Sequence, residues 1–108
     1  MAFKSKPSAS IGLVGSPTTI SATVSAGASH TIIGLSLANV GTAPVTVSVK
    51  LVKADASTGF LIKDAIVPLG GALVIVGGDQ KVVLEAGDSI QAYCSVAASA
   101  DAVLSYLV

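Results

Sequence analysis

The chain has 108 residues, of which 52% are hydrophobic and 11% are charged, and its six lysines and six carboxylates give no net charge. This length is enough for one domain with a single core. The lysines are scattered and no arginine is present, which argues against direct binding of nucleic acid. All apolar runs are shorter than the roughly 20 residues of a membrane-spanning helix, so we expect no membrane partner.

The first ten residues contain two lysines and a proline but no alternation of apolar and polar residues. We therefore predict a flexible N-terminal arm over residues 1–10. It lacks the apolar segment of a secretory signal, which predicts synthesis in the cytoplasm. Phe3 is a large apolar anchor in this arm, and Lys4 and Lys6 follow it. We expect the arm to bind a groove of a neighbouring subunit and to become ordered there.

Residues 11–108 are dominated by a period of two, which is typical of half-buried strands. The alternation is clearest in residues 18–24, 31–39, 45–51 and 89–96. Breaks that contain Gly, Pro, Ser or Asn separate about eight strands at the spacing of a small all-β fold. The sequence therefore predicts one antiparallel β-sandwich over residues 11–108, of the jelly-roll or immunoglobulin-like type.

The apolar positions of these segments predict a common core. The residues expected in it are Ile33, Leu35, Val47, Val49, Leu51, Ile90 and Cys94. Cys94 is the only cysteine, so no internal disulfide can form and the fold must be stabilised by packing.

Two breaks that contain Gly-Asp interrupt the second half of the chain. Gly77-Gly78-Asp79-Gln80 separates two apolar runs and predicts a tight hairpin, because glycine supplies the positive φ angles of such turns. Lys81 after it opens a strand instead of a helix, which disfavours a phosphate-binding loop. Asp88, close to Glu85, predicts a surface turn. Calcium at Asp88 is the alternative, although it would need six or more oxygen ligands.

Residues for catalysis are sparse. His30 is the only histidine and is expected at a surface turn, and no Gly-x-Ser-x-Gly nucleophile turn is present. The Cys94 thiol is expected to be buried and inert, since no base is predicted beside it. We therefore expect no enzymatic activity, no catalytic residues, no metal ligands and no cofactor.

Several predicted strands carry aliphatic side chains on both faces, whereas a two-layer sandwich buries only one face of each strand. Exposed apolar patches mark interaction sites in proteins. We therefore expect the second face to bind protein. The outward candidates on the strands are Ile62, Ile66, Val74 and Val82.

Two runs within residues 31–108 resemble small all-β structural proteins of tailed-bacteriophage virions. These runs are IIGLSLANVGTAPVTVSVKLVK and VPLGGALVIVGGDQKVVLEAGDSIQAYCSVAASADAVLSYL. The resemblance implies a non-enzymatic virion protein, made in the host cytoplasm, that forms a dimer or trimer and binds the major capsid protein or another virion protein. Within this group, a capsid cement or decoration subunit that stabilises neighbouring coat subunits is the leading interpretation.

Two alternatives remain open from the sequence. One is a structural component of the tail or of the head-tail junction with the same fold. The other is a module that binds a host surface or carbohydrate, although sugar sites stack on exposed aromatic rings. The aromatic residues other than histidine are Phe3, Phe60, Tyr93 and Tyr106.

Overall fold

The structure, a computed structural model, describes residues 2–77 and 80–108, and these residues form nine strands and no helix. The strands are β1 (Phe3–Ser8), β2 (Thr18–Thr19), β3 (Ser29–Asn39), β4 (Val45–Val52), β5 (Thr58–Val67), β6 (Ala72–Val76), β7 (Val82–Glu85), β8 (Ser89–Cys94) and β9 (Ala100–Leu107). Sheet A has the order β1-β9-β3-β6, with β7 also paired to β3, and sheet B has the order β2-β8-β4-β5. The two antiparallel sheets pack together, which confirms the predicted β-sandwich.

The pairing of the strands follows the pattern of a jelly roll. Strand β6 pairs with one half of β3 and β7 pairs with the other half, both antiparallel, so the two act as one interrupted strand. When β6 and β7 are counted as one strand, eight strands form two sheets of four. They pair from the ends of the chain inward, β1 with β9, β2 with β8, β3 with β6 and β7, and β4 with β5. Of the two predicted types, this wrapping is that of the jelly roll.

The predicted hairpin at residues 77–80 is wrong in its pairing. Strands β6 and β7 run in the same direction along one edge of β3 and do not pair with each other. Gln80 N donates to Gly77 O at 3.2 Å, while Gly78 and Asp79 lie outside the described residues. A break that contains glycine interrupts a strand as readily as it reverses one. The direction of β7 is determined by its pairing with β3, which is remote in sequence.

The prediction of a separate N-terminal arm is also wrong, because Phe3–Ser8 form the edge strand β1. This strand pairs with β9 over its whole length, from Phe3 opposite Leu107 to Ser8 opposite Ala102. An edge strand is held by main-chain hydrogen bonds on one side and needs no donors on the other. Pro7 is tolerated there for that reason.

The core lies between the sheets, and most of the predicted core residues are in it. Those that are buried are Leu35, Val47, Val49, Ile90 and Cys94. Leu51 and Ile33 are only half-buried. A register shift between Ile32 and Gly34 on β3 turns Ile32 to the core instead of Ile33. A bulge reverses the alternation of faces beyond it, which explains this correction.

Candidate functional site

The outward face of sheet A, called here the sheet A face, carries rows of side chains that cross the strands. A first row is mostly apolar and consists of Phe3, Leu107, Thr31 and Val83. A second such row consists of Pro7, Val103, Ser36 and Val74. A row of small residues separates them and consists of Ser5, Ser105 and Gly34. The face therefore has two ridges with a hollow between them.

The hollow has a volume of about 200 Å³, and Gly34, Val74, Val103 and Ser105 are among its lining residues. Val74 is 69% exposed and Phe3 is 75% exposed. Among the strand residues that the register places on this face, only Glu85 and Asp101 are charged. A surface with exposed apolar ridges and so little charge is typical of a protein-binding site.

A second apolar surface, called here the sheet B groove, lies on the outer side of sheet B. Its main part has a volume of about 410 Å³ and is lined by Leu13, Val14, Thr46, Asp64, Tyr93, Cys94 and Ser95. Across Thr46 and Ser95 it continues into a second depression beside Pro44 and Ile66. Ile66 is 72% exposed. The two apolar surfaces thus lie on opposite sides of the sandwich.

The polar wall of the groove is built by an irregularity in β5. Asp64 has a left-handed backbone with φ of 52°, which is uncommon for a residue other than glycine. The buried Ser48 hydroxyl of β4 supports this conformation, since it accepts from Asp64 N at 2.9 Å and donates to Asp64 Oδ1 at 3.3 Å. The strain of such a residue persists only where its surroundings hold it. The result is one carboxylate beside an apolar groove.

The aromatic rings near the groove are packed against other groups. Phe60 and Tyr93 meet edge to face, with ring centroids 6.4 Å apart. The Lys63 ammonium lies 5.3 Å from the centroid of Phe60 and covers one of its faces. Tyr93 and Lys63 therefore cover part of the surface of the Phe60 ring, which remains 46% exposed.

Three of the seven candidate interface residues are exposed on an outer face of the sandwich. Ile66 and Val74 are exposed on opposite sheets, and Phe3 is exposed on the first ridge of the sheet A face. Lys4 and Lys6 do not share the face of Phe3, because their partners across the register, Tyr106 and Leu104, are buried. These lysines therefore lie on the core side at the edge of the sheet.

Two candidates do not point outward. Val82 is buried, and the outward apolar residue of β7 is its neighbour Val83. Ile62 is half-buried and packs against the core. Both errors follow from breaks in the strands, the interruption between β6 and β7 and the register shifts of β5. Counting in twos across such a break assigns the wrong face.

Asp88 is not the surface residue that the sequence predicted, since it is only 5% exposed. Its Oδ2 accepts from the Lys53 ammonium at 2.5 Å and from Glu85 N at 2.9 Å, and its Oδ1 accepts from Ala54 N at 3.0 Å. The hydrogen bond from Lys53 is the largest cause that holds the pKa of Asp88 below its ordinary value. Asp88 thus joins the turn after β4 to the turn after β7.

Asp88→Asn is expected to lower the thermal midpoint at neutral pH, because in one orientation the new amide NH2 would meet the donors of Lys53 and Glu85 and in the other the donor Ala54 N. The depressed pKa means that Asp88 stabilises the fold above the unfolded value of about 3.9. This stabilisation is lost as the pH falls through the folded pKa, so the variant should lose less stability than the parent on acidification. Thermal unfolding from pH 7 to pH 2 measures both effects.

Asp55→Asn is the matched control, since Asp55 lies in the neighbouring turn and uses only Oδ1, as an acceptor from Ser57. An amide oxygen can keep that role. Equal midpoints for the Asp88 variant, its control and the parent would contradict a structural role for Asp88.

His30 also differs from its prediction, because it lies within β3 instead of at a turn. Its partner in the register, Leu84, is buried, so the ring faces the core. The ring stacks on Tyr106 with centroids 5.1 Å apart. Among the described residues, no group hydrogen-bonds its buried Nδ1. The structure gives His30 a packing role at one end of the sandwich.

Within residues 2–77 and 80–108, no three His, Cys, Asp or Glu side chains are grouped closely enough to hold a metal ion. The same residues contain no helix that is long and apolar enough to cross a membrane. Comparisons of the chain with protein-family models, with curated proteins and with solved structures find no match.

Proposed function

We propose that this chain is a non-enzymatic structural subunit of a virion, where it acts as a capsid cement or decoration protein. A protein that bridges others needs two separate docking surfaces. The observation that supports this function is the presence of two apolar surfaces, the sheet A face and the sheet B groove, on opposite sides of one small sandwich.

Two further features agree with this function. The sequence resembles small all-β structural proteins of phage virions, as described above. The jelly roll occurs in capsid proteins, although it also occurs in lectins and enzymes, and a fold by itself does not determine function. The two surfaces therefore support the proposal more strongly than the topology does.

The sheet B groove is the surface that we assign to the major capsid protein. Its apolar walls suit an inserted side chain, and the Asp64 carboxylate offers one hydrogen-bond acceptor that fixes the orientation of a bound segment. Interfaces combine an apolar centre with a few oriented polar groups in this way. In this arrangement the sheet A face remains available for a different contact.

Ile66→Lys is expected to weaken binding to particles about 10- to 100-fold, which corresponds to the loss of about 1.5–3 kcal/mol from burying one aliphatic side chain. Val40→Lys is the matched control, because Val40 is also exposed but lines neither the sheet B groove nor the hollow of the sheet A face. The measurement is the amount of each purified variant that co-sediments with particles lacking the protein, at a series of concentrations. Equal affinities of Ile66→Lys and the parent would contradict the assignment of the groove.

The copy number in purified particles tests whether the protein belongs to the capsid or to the tail. A cement or decoration subunit should be present in hundreds of copies, which quantitative mass spectrometry can count. About six or twelve copies would instead assign it to the tail or its junction, where ring symmetry limits the number of subunits. Absence from purified particles would contradict the virion role.

A further inference from the structure

We infer that the sheet A face binds a second copy of this chain, face to face, about a twofold axis. This pairing deepens the proposed function and rests on it for its place in the particle. A pair joined through sheet A would carry its two sheet B grooves on opposite outer sides. Such a pair binds two coat segments at once, which is what a bridging protein must do.

The ridges of the sheet A face match the low rows of a second copy of the same face. Beyond the second ridge lies a row that contains the small residues Ala38 and Ala72, with Asp101 at its end on β9, so ridges and lower rows alternate along the strands. A twofold axis across the strands, between the Ser105 row and the Val103 row, places each ridge of one copy over a small row of the other. Packed sheets interdigitate in this way at about 10 Å separation.

The charges on this face also permit pairing with itself. Glu85 and Asp101 lie near opposite ends of the face, and Asp101 is held at the margin by a hydrogen bond from Ser10 N at 3.0 Å. The proposed axis keeps the two copies of each carboxylate apart, so like charges do not meet. The centre of the interface contains only apolar, hydroxyl and glycine positions.

The edges of the sheets disfavour association by strand addition, which leaves the face as the route. Strand β1 carries Pro7 and lysines, and β2 is only two residues long. Strand β5 is irregular at Asp64, and the edge formed by β6 and β7 is interrupted. Proline, lysine, short strands and bulges are the usual means by which proteins protect their edges.

The size of the face predicts a reversible pair. At about 3.3 Å per residue and about 4.8 Å between strands, the strands of sheet A cover a flat area of about 500 Å². A partner in an interface of standard size buries about 800 Å². The face is therefore smaller than the surface that one partner buries in a standard interface. We therefore expect a dimer that dissociates on dilution.

Sedimentation equilibrium of the purified chain tests the pairing without any particle. The parent should approach twice the chain mass of 10.5 kDa at high concentration and fall toward the single mass on dilution. Val74→Lys should sediment as a monomer throughout, since it places an ammonium within the contact, on the ridge beside the proposed axis. Ile66→Lys should dimerise like the parent. Val103→Lys, on the same ridge as Val74, serves as a second variant, and circular dichroism verifies that all variants are folded.

The outcomes separate this inference from the proposed function. A parent that stays monomeric at all concentrations, one that forms trimers, or a folded Val74→Lys that still dimerises would overturn the twofold pairing. Loss of particle binding by Val74→Lys with a monomeric parent would show that coat protein covers the sheet A face. A normal dimer whose Ile66→Lys variant binds particles fully would overturn the assignment of the groove and leave the pairing intact.

Discussion

Leu35→Ala is expected to lower the free energy of unfolding by on the order of 2–5 kcal/mol, the range for removing a fully buried leucine side chain. Leu35 lies in the middle of β3, between Leu104 of β9 and Val76 of β6. All three side chains are buried. Strand β3 is paired on both sides, so the surrounding backbone cannot easily close the cavity that the substitution leaves.

Chemical denaturation followed by far-ultraviolet circular dichroism measures this loss. Val14→Ala is the control, because Val14 is exposed in the sheet B groove, and surface truncations change stability by about 0.5 kcal/mol or less. If Leu35→Ala and Val14→Ala unfold at the same denaturant concentration, the assignment of Leu35 to the core is wrong.

Asn39→Asp is the second substitution with a large expected effect. The buried Asn39 amide donates to Ala43 O at 2.9 Å and to Val67 O at 3.1 Å, and its Oδ1 accepts from Gly41 N at 2.9 Å. A carboxylate has nearly the same shape but would turn an acceptor toward two carbonyl oxygens. We expect a loss on the order of 3–5 kcal/mol at neutral pH, as for other uncompensated buried charges.

The pH dependence distinguishes this charge effect from a loss of packing. Burial beside carbonyl oxygens raises the pKa of an introduced carboxyl. The cost of ionising it is therefore absent below the unfolded pKa of about 3.9 and grows as the pH rises toward the folded pKa. Unfolding measured from pH 3 to pH 7 should show that Asn39→Asp loses stability relative to the parent over this range.

Asn39→Ala serves as the control, because it removes the same hydrogen bonds without adding charge. Its deficit should change little with pH and should be about 1–3 kcal/mol, the cost of leaving buried partners unsatisfied. A deficit of Asn39→Asp that stays constant from pH 3 to pH 7 would contradict the proposed cause.

The sequence alone determined the class of the fold and much of its core. Alternation in residues 45–51 and 89–96 reports which side of a strand is buried, and this requires only that one face meets the core. Val47, Val49 and Ile90 are buried as that pattern predicts. The exposure of Ile66 and Val74 was predicted on the same ground, although their role at interfaces remains a prediction.

Only the tertiary structure decided which strands pair and where the alternation fails. Residues 3–8 have no buried face of their own and become a strand because β9 offers them a ladder of hydrogen bonds. The bulge beside Ile32 and the break before Val82 reverse the faces of the residues around them. These features depend on partners far along the chain, which a local pattern does not contain.

For the same reason, the sequence did not predict that Asp88 and Asn39 are buried. Asp88 is stabilised by Lys53 and Ala54, and Asn39 by Val67, all remote from them in sequence. In sequence each of them appears only as a polar residue in a break, and such residues are usually exposed. Local periodicity thus determined the sandwich, whereas the contacts between distant turns determined which polar side chains are buried and how they are satisfied.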